Sequence, residues 1–300
     1  MSYTQPITGS IVALVTPMHA DSSLDLESLA SLVKWHIEQQ SAALVVAGTT
    51  GEAATLSVAE HCQVINTAVK AANGKIPIIA GTGANSTTEA MTLTQAAADA
   101  GADAALLITP YYNKPSQEGL YRHHELIAST VAIPQILYNV PSRTAVDLLP
   151  STIARLALID NIVGVKEATG DISRAIDIKN RVESANIKNF AIYSGDDATA
   201  VKFILAGMQG GISVTANIIP STISKIYQLA LSNQADKAHE LDATIASLHK
   251  NLFIQSNPVP IKWAMHKAAL IKEGIRLPLL PLETQYWQIL ADELTKLELV

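Results

Sequence analysis

Short runs of apolar residues alternate along the chain with longer segments whose apolar residues recur at helical spacing. The runs are rich in Val, Ile and Ala, as is typical of strands buried on both faces. They cover residues 11–15, 42–47, 76–80, 104–108, 134–138, 162–166, 190–193 and 211–214. Eight strands joined by helices predict a parallel sheet and close a (β/α)8 TIM barrel. A doubly wound open sheet is the alternative fold.

Several of the helical segments open on a residue that caps helices. "DLESLASLVKWHIEQQ" begins at Asp25, "SVAEHCQVINTAVKAAN" at Ser57 and "STTEAMTLTQAAADAG" at Ser86. The side-chain oxygen of Asp or Ser accepts a hydrogen bond from a free backbone N–H of the first turn. These three positions are therefore predicted helix starts.

The ends of the predicted strands differ in chemistry. Their C-terminal ends carry polar motifs, whereas the segments leading into them are plain. The motifs are "GTTGE", "GTGANS", "TPYYN", "YNVPSRT", "KEATGD", "SGDD" and "SVTAN". In a barrel these ends share one face, where the catalytic groups of such folds lie. The strand pattern stops near Gln234, so we expect a barrel over residues 1–233 and a helical region over 234–300 that packs on it.

Composition narrows the classes of function. The chain has 300 residues, 48% of them hydrophobic and 16% charged, with a net charge of −6. This excludes a disordered chain and gives no electrostatic reason to expect nucleic acid. Cys62 is the single cysteine, so no intrachain disulfide forms and a reduced cytoplasm fits. The first 20 residues show no basic leader, and no apolar run reaches the length of a membrane span, so we expect no membrane partner.

Lys166 stands at the end of the sixth predicted strand, in "NIVGVKEATGD". A period of two places Ile162 and Gly164 on the face of Lys166, with Val163 and Val165 on the other, and Gly164 leaves room beside the lysine. Desolvation lowers the pKa of a buried amine and makes it a usable nucleophile, which forms Schiff bases with carbonyl substrates. The alternative is a lysine that reaches solvent or pairs with Glu167.

Two neighbouring strand ends favour the catalytic interpretation. "GTTGE" supplies backbone N–H groups and the hydroxyls of Thr49 and Thr50, which suit a small carboxylate. "YNVPSRT" places Tyr138 at the end of the fifth strand and Arg143 a few residues later. A phenol relays protons, and a guanidinium binds a carboxylate in a bidentate manner. A core aromatic and a solvated arginine are the alternatives.

Other chemistries lack their signatures. The eight histidines show no HExxH spacing, and Cys62 has no CxxC partner, so we expect no metal and no cofactor. "GTGANS" lacks the third glycine of a dinucleotide loop. At the end of the seventh strand, Asp196 and Asp197 argue against a phosphorylated ligand, since barrels often hold a phosphate there.

Taken together, the motifs resemble those of the 4-hydroxy-tetrahydrodipicolinate synthase (dihydrodipicolinate synthase) family, in order and over nearly the whole chain. They are "GSIVALVTPM", "GTTGEAATL", "AGTGAN", "TPYYNKPSQEGLY", "ILYNVPSRT", "GVKEATGD", "SGDDA", "ISVTAN" and "NPVPIKWA". The resemblance implies a (β/α)8 barrel in which pyruvate condenses with aspartate 4-semialdehyde on the way to lysine and diaminopimelate. It also implies a homotetramer built from two dimers.

The resemblance assigns roles to particular residues. The Schiff-base lysine falls on Lys166, and the proton relay falls on Tyr138, Thr49 and Tyr112, the last of which reaches into a neighbouring subunit's site. The substrate-binding positions are Thr50 for the pyruvate carboxylate, Arg143 for the semialdehyde carboxylate, and Gly195 and Ile212, which line the same pocket.

An effector cleft for lysine is also implied, at the dimer interface. Its lining falls on His61, Asn85, Glu89 and Tyr111. Two further lining positions hold Ala53 and Val58, where lysine-sensitive relatives commonly carry Ser and His. We therefore expect lysine to bind weakly.

Two other functions remain open at this point. A sister aldolase such as N-acetylneuraminate lyase would also use Lys166 and Tyr138 with pyruvate, although Arg143 within "NVPSRT" favours the synthase. A non-catalytic barrel that binds a metabolite is the second alternative. It is less consistent with the sequence, which contains all five of the catalytic and carboxylate-binding residues, namely Lys166, Tyr138, Thr49, Thr50 and Arg143.

Overall fold

Eight parallel strands close into a barrel in the computed structural model, which describes residues 6–300. Residues 1–5, the start of the segment expected to lack a leader, lie outside that range. The strands are β1 Gly9–Ala13, β2 Ala43–Val46, β3 Ile78–Gly81, β4 Ala104–Ile108, β5 Gln135–Asn139, β6 Ile162–Glu167, β7 Ala191–Ser194 and β8 Gly210–Ser213. Each strand pairs with the next along the chain, and β8 pairs with β1. The predicted (β/α)8 barrel is confirmed, and the open sheet is wrong.

Helices follow the strands and then continue to the C-terminus. They are α1 Leu26–Glu38, α2 Val58–Ala72, α3 Thr87–Asp99, α4 Gln117–Thr130, α5 Pro141–Thr144, α6 Pro150–Leu156, α7 Ile172–Ser184, α8 Ala200–Leu205, α9 Pro220–Leu231, α10 Ala235–Ala243, α11 Ala246–Asn251, α12 Val259–Lys267 and α13 Trp287–Lys296. The predicted caps are confirmed at Asp25, Ser57 and Ser86, each of which accepts a bond from a first-turn N–H. Ser57 and Glu60 cap one another reciprocally.

The strands are buried because both of their faces are covered. Along β1, Ile11 lies in the cluster inside the barrel, whereas Val12 lies in the cluster between sheet and helices. Val45 and Leu44 on β2 divide in the same way. Since both clusters are apolar, the strands read in the sequence as continuous apolar runs rather than as alternating ones.

Strand β6 departs from the predicted alternation. Its pairing with β5 shifts by one residue, because Gln135 lies opposite Ile162 while the next residue, Ile136, lies opposite Gly164. Val163 is the extra residue, and it belongs to the cluster inside the barrel, whereas Ile162 packs outside together with Val165. The predicted faces of Ile162 and Val163 were therefore wrong, since a bulge reverses the alternation.

The segment after Gln234 packs on the outside of the barrel. Leu248, Ile261 and Leu290 belong to the same apolar cluster as residues of β1 and β2. The region predicted to be helical contains α10, α11, α12 and α13, with α12 in the motif "NPVPIKWA". No helix within residues 6–300 is long and apolar enough to cross a membrane.

Three buried histidines make the fold sensitive to acid. Burial lowers the pKa of His36 to about 3 and that of His123 to about 4, and it lowers the pKa of His124 still more strongly. Because the folded pKa lies below the unfolded value near 6.5, each histidine is neutral in the fold. Their stabilisation is complete above pH 6.5 and is lost as the pH falls toward the folded pKa.

We expect His36→Phe to reduce this acid sensitivity. At pH 4.5 the protonation of the unfolded His36 alone costs about 3 kcal/mol of unfolding free energy. Urea unfolding of the parent and the variant at pH 7 and pH 4.5 measures the difference, with His239→Phe as the exposed control. An equal loss of stability in parent and variant on acidification would contradict the assignment.

Candidate active site

The Lys166 amine lies at the C-terminal end of β6, enclosed by the barrel. The residue is 6% exposed, and Nζ lies 4.4 Å from the centre of the Tyr138 ring. Tyr138 is the direct neighbour of Lys166 across the β5–β6 ladder. Lys166 makes no ion pair with any residue in the range 6–300. The alternatives in which it reaches solvent or pairs with Glu167 do not match this geometry.

A polar network outside the barrel holds the two strand ends together. Asn139 and Glu167 follow Tyr138 and Lys166 directly and point outward, where Asn139 Nδ2 donates to Glu167 Oε2 at 3.1 Å. Arg174 on α7 donates from Nε to the same carboxylate at 2.8 Å and also bonds to Asp147. Glu167 is fully buried, so its charge is compensated on this outer side rather than by Lys166.

Gly195 provides the space beside the lysine. A Cβ on Gly195 would lie 3.0 Å from Lys166 Cε and 2.5 Å from Ala168 Cβ. A Cβ on Gly164 would instead meet the Ala191 backbone oxygen at 2.6 Å. The prediction that Gly164 makes room for the lysine was wrong: Gly164 permits close approach of β7. Any side chain at Gly195 would crowd Ala168 and the end of the Lys166 side chain.

The loop after β2 brings two hydroxyls to the same end of the barrel. Thr49 is half-buried and lines the cavity described below, whereas Thr50 is 3% exposed. The Thr50 hydroxyl accepts a hydrogen bond from Asn257 Nδ2 at 2.9 Å. Thr16 Oγ1 donates to the carbonyl of Gly51 at 2.7 Å, which fixes the next residue of the loop.

A cavity of about 430 Å³ is lined by residues from both the predicted catalytic site and the predicted effector cleft. Its lining includes Thr49, Tyr138 and Arg143. The remaining polar lining comes from the loop after β2, the effector positions and the C-terminal region. It comprises His61, Glu89, Tyr111, Glu52, Thr55, Ser256 and Asn257. Lys166 and Thr50 do not line it, so the cavity connects the effector positions with Thr49, Tyr138 and Arg143.

Three of the four predicted effector residues meet in this cavity. His61 Nε2 lies 2.7 Å from the carbonyl oxygen of Gly81. Burial lowers the pKa of His61, opposed by the Gly81 carbonyl and the Glu89 carboxylate. Burial also raises the pKa of the Tyr111 phenol, and Glu89 adds to that effect. Asn85 does not line the cavity, and its carbonyl accepts a bond from Asn113 Nδ2 at 2.9 Å.

Tyr112 does not join the other predicted relay residues within one chain. It is 88% exposed, and its φ is 73°, in the left-handed region that bulky residues rarely adopt. Within one chain, Lys166, Tyr138 and Thr49 therefore lie at the same end of the barrel, while the Tyr112 ring faces outward.

Ile212, which was predicted to line the substrate pocket, lies in the apolar cluster inside the barrel.

The two carboxylates of the "SGDD" motif accept hydrogen bonds from neighbouring residues. Asp196 accepts bonds from the N–H and hydroxyl of Thr199, and Asp197 accepts the N–H groups of Val214 and Thr215. Both carboxylates therefore organise the backbone at the ends of β7 and β8. Within residues 6–300, no three His, Cys, Asp or Glu side chains are placed to hold a metal ion.

Several residues around the cavity were missed by the sequence analysis. Asn257, Lys262 and Arg276 come from the C-terminal region and contact the loop after β2. Lys262 and Glu52 form a buried ion pair; burial lowers the pKa of Lys262, and Glu52 opposes this. The motif "NPVPIKWA" contains Asn257 and Lys262 and was the available signal, but nothing in its spacing indicates which loop it contacts.

Known proteins resemble this chain over nearly its whole length. A 4-hydroxy-tetrahydrodipicolinate synthase of Cellvibrio japonicus is 58% identical over 282 residues, which cover 94% of this chain and 96% of the relative. The crystal structure of the chloride-inhibited dihydrodipicolinate synthase from Acinetobacter baumannii, complexed with pyruvate, is 54% identical, with a TM-score of 0.94 and coverage of 98% of this chain and 100% of that one.

A more distant relative has been solved with an amino acid bound. Dihydrodipicolinate synthase from Cyanidioschyzon merolae, with lysine bound, is 33% identical, has a TM-score of 0.93, and is matched over 98% of this chain and 99% of its own. The profile of the dihydrodipicolinate synthetase family matches residues 6–297. Because sequence and fold agree over this range, the chain belongs to the dihydrodipicolinate synthetase family.

Proposed function

We propose that this chain condenses pyruvate with L-aspartate 4-semialdehyde to give 4-hydroxy-tetrahydrodipicolinate, through a Schiff base on Lys166. The observation that carries the proposal is the buried Lys166 amine, without an ion-pair partner in residues 6–300 and 4.4 Å from the centre of the Tyr138 ring. It agrees with the similarity of this chain to 4-hydroxy-tetrahydrodipicolinate synthases, one of them complexed with pyruvate.

In the proposed reaction the neutral Lys166 amine attacks the ketone carbon of pyruvate, and loss of water gives an imine. The protonated imine takes up electrons when the methyl group loses a proton, so an enamine forms without a cofactor. The enamine carbon adds to the aldehyde of the second substrate. The amino group of that substrate then attacks the imine carbon and displaces Lys166 as the ring closes. Tyr138 and Thr49 carry protons between these steps.

Arg143 supports the semialdehyde as the second substrate. It lies at the exposed edge of the cavity that Tyr138 also lines, where a carboxylate entering from solvent would meet the guanidinium. The sister activity of N-acetylneuraminate lyase needs no second carboxylate at this position. Thr50 is assigned to the carboxylate of pyruvate, with Gly195 and Ile212 beside it.

We expect borohydride reduction with pyruvate to label Lys166 alone. Peptide mass mapping should find a reduced pyruvyl group on that residue and no label in Lys166→Ala. Lys166→Arg should be equally inactive, because a guanidinium stays protonated and forms no imine. Lys225→Ala, which removes an exposed lysine, is the control and should label normally. A label on another lysine, or turnover by Lys166→Ala, would disprove the proposal.

Tyr112 is proposed to complete the relay of a second copy of the chain. An outward-facing tyrosine with left-handed backbone geometry is costly unless a partner uses it. The smallest active unit would then be a dimer, and two dimers would form the proposed tetramer.

Mixing Lys166→Ala with Tyr112→Phe protein should therefore restore activity after subunit exchange. In each hybrid dimer one site carries both changes and the other carries neither, so about a quarter of all sites recover in an equal mixture. A mixture of Lys166→Ala with Lys166→Arg is the control and should stay inactive. If exchange is confirmed by mass spectrometry and no activity returns, Tyr112 serves its own chain.

The effector side of the cavity is proposed to bind lysine. Glu89 would hold an ammonium group, and Tyr111 and His61 would surround the ligand, with Asn85 just outside the cavity lining as the fourth effector position. Ala53 and Val58 replace polar residues common in sensitive relatives, and each missing contact costs about 0.5 to 1.5 kcal/mol, so affinity falls by about one to two orders of magnitude in all.

Lysine should therefore inhibit only partially, and at higher concentrations than in relatives that keep both polar residues. Isothermal calorimetry and activity titrations measure this for the parent and for Glu89→Gln, in which binding should weaken by at least about tenfold. Glu183→Gln, an exposed change on α7, is the control. An absence of binding heat in the parent, or inhibition that Glu89→Gln leaves unchanged, would remove the effector site from this cavity.

A further inference from the structure

The C-terminal region is joined to the loop after β2 by buried polar contacts. Asn257 donates to the Thr50 hydroxyl, Lys262 Nζ bonds to the Glu52 carboxylate, and the backbone N–H of Arg276 donates to Glu52 Oε2 at 3.1 Å. Thr50, Glu52, Asn257 and Lys262 are all at least nine-tenths buried. Buried polar contacts of this kind are costly to leave incomplete, so they fix the loop against the C-terminal region.

The hydrogen bond from Asn257 determines whether the Thr50 hydroxyl is free to donate its own proton. A hydroxyl has one proton to donate, and it accepts at its oxygen. Because Thr50 Oγ1 accepts from Asn257 Nδ2 at 2.9 Å, its proton stays available for another group. A substrate carboxylate only accepts hydrogen bonds, so this polarity suits it. The reverse orientation, with Asn257 Oδ1 toward Thr50, would consume that proton.

The contact from Lys262 secures the backbone on the other side of Thr50. Glu52 has a φ of 57°, in the left-handed region, which a glutamate adopts only when its surroundings hold it there. Lys262 Nζ also donates to the carbonyl of Thr16 at 3.1 Å, and Thr16 in turn donates to the carbonyl of Gly51. Gly51 and Glu52 are therefore held from both sides of the loop.

We propose that Asn257 and Lys262 are positioning residues for the carboxylate of pyruvate, with Asn257 acting through the Thr50 hydroxyl and Lys262 through Glu52. The proposal rests on the proposed function, in which Thr50 binds that carboxylate. It makes the C-terminal helical region a functional part of the active site, in addition to its packing on the barrel.

Two substitutions at Asn257 test the proposed polarity. Asn257→Asp keeps the shape but offers only acceptors at neutral pH, so it draws the Thr50 proton away and adds a negative charge. The pyruvate concentration for half-maximal adduct formation should rise about 10- to 100-fold in Asn257→Asp and about three- to tenfold in Asn257→Leu. With pyruvate saturating, kcat and the KM for the semialdehyde should change less than about threefold, because the chemistry on Lys166 is untouched.

The matched control is Asn251→Leu, which removes another side-chain hydrogen bond of the same region, from Asn251 Nδ2 to Glu293 at 2.8 Å. It should leave the response to pyruvate unchanged. Acidification supplies a second readout, because the carboxyl introduced by Asn257→Asp regains a donor once it is protonated. This variant should therefore bind pyruvate better as the pH falls, relative to the parent.

A double-mutant cycle keeps the test informative if Asn257→Leu folds poorly. Thr50→Val removes the hydroxyl, after which the loss of its Asn257 partner should have little further effect on the pyruvate response. Additive effects of Thr50→Val and Asn257→Ala, which introduces no charge, would overturn the proposal. So would an unchanged pyruvate response in Asn257→Asp, or an equal shift in Asn251→Leu.

Lys262 is tested through its pair with Glu52. Lys262→Met in a Glu52→Gln background avoids leaving a buried carboxylate unpaired. It should raise the half-saturating pyruvate concentration about tenfold, and thermal unfolding confirms that the variant is folded. An unchanged pyruvate response in the folded variant would overturn the role of Lys262. Failure of the parent to form any adduct at Lys166 would reject the proposed function itself, whereas an adduct in the parent with normal responses in these variants rejects only the positioning role.

Discussion

A buried amine without an adjacent anion is the constraint on which this structure depends. Lys166 is enclosed by the barrel, and its nearest charged neighbour in sequence, Glu167, faces the opposite side of the sheet. There Arg174 and Asn139 satisfy the carboxylate, so it does not pair with the lysine. The sheet thus separates a nucleophile from a carboxylate one residue away, because successive side chains of a strand point to opposite faces.

The barrel topology could be predicted from the sequence because its strands carry an uninterrupted apolar signal and its helices begin at capping residues such as Ser57 and Ser86. The polar motifs at the C-terminal ends of the strands also indicated which face of the barrel would hold the site, and the structure brings Lys166, Tyr138 and Thr49 to that face. These inferences need only the period of a strand and the closure of a barrel.

Features that depend on packing between distant segments were not predictable. The bulge at Val163 has no local signature, and the roles of Gly164 and Gly195 depend on which neighbour each backbone meets. The contact between Asn257 and Thr50 joins residues 207 positions apart, so no periodicity reports it. The cavity that Tyr138 and Arg143 share with the effector residues could not be predicted for the same reason, since its lining comes from six or more separate segments.

The bulge in β6 also constrains how this strand can vary among related chains. Ile162 packs outside the barrel and Lys166 points inward, although a regular strand would place residues four apart on the same face. Val163 supplies the extra residue that reconciles the two. The number of residues between Ile162 and Lys166 is therefore constrained more tightly than the identity of those residues. A conservative exchange at Val163 preserves the orientation of Lys166. An insertion or deletion there would turn either Lys166 or Ile162 to the wrong face of the sheet.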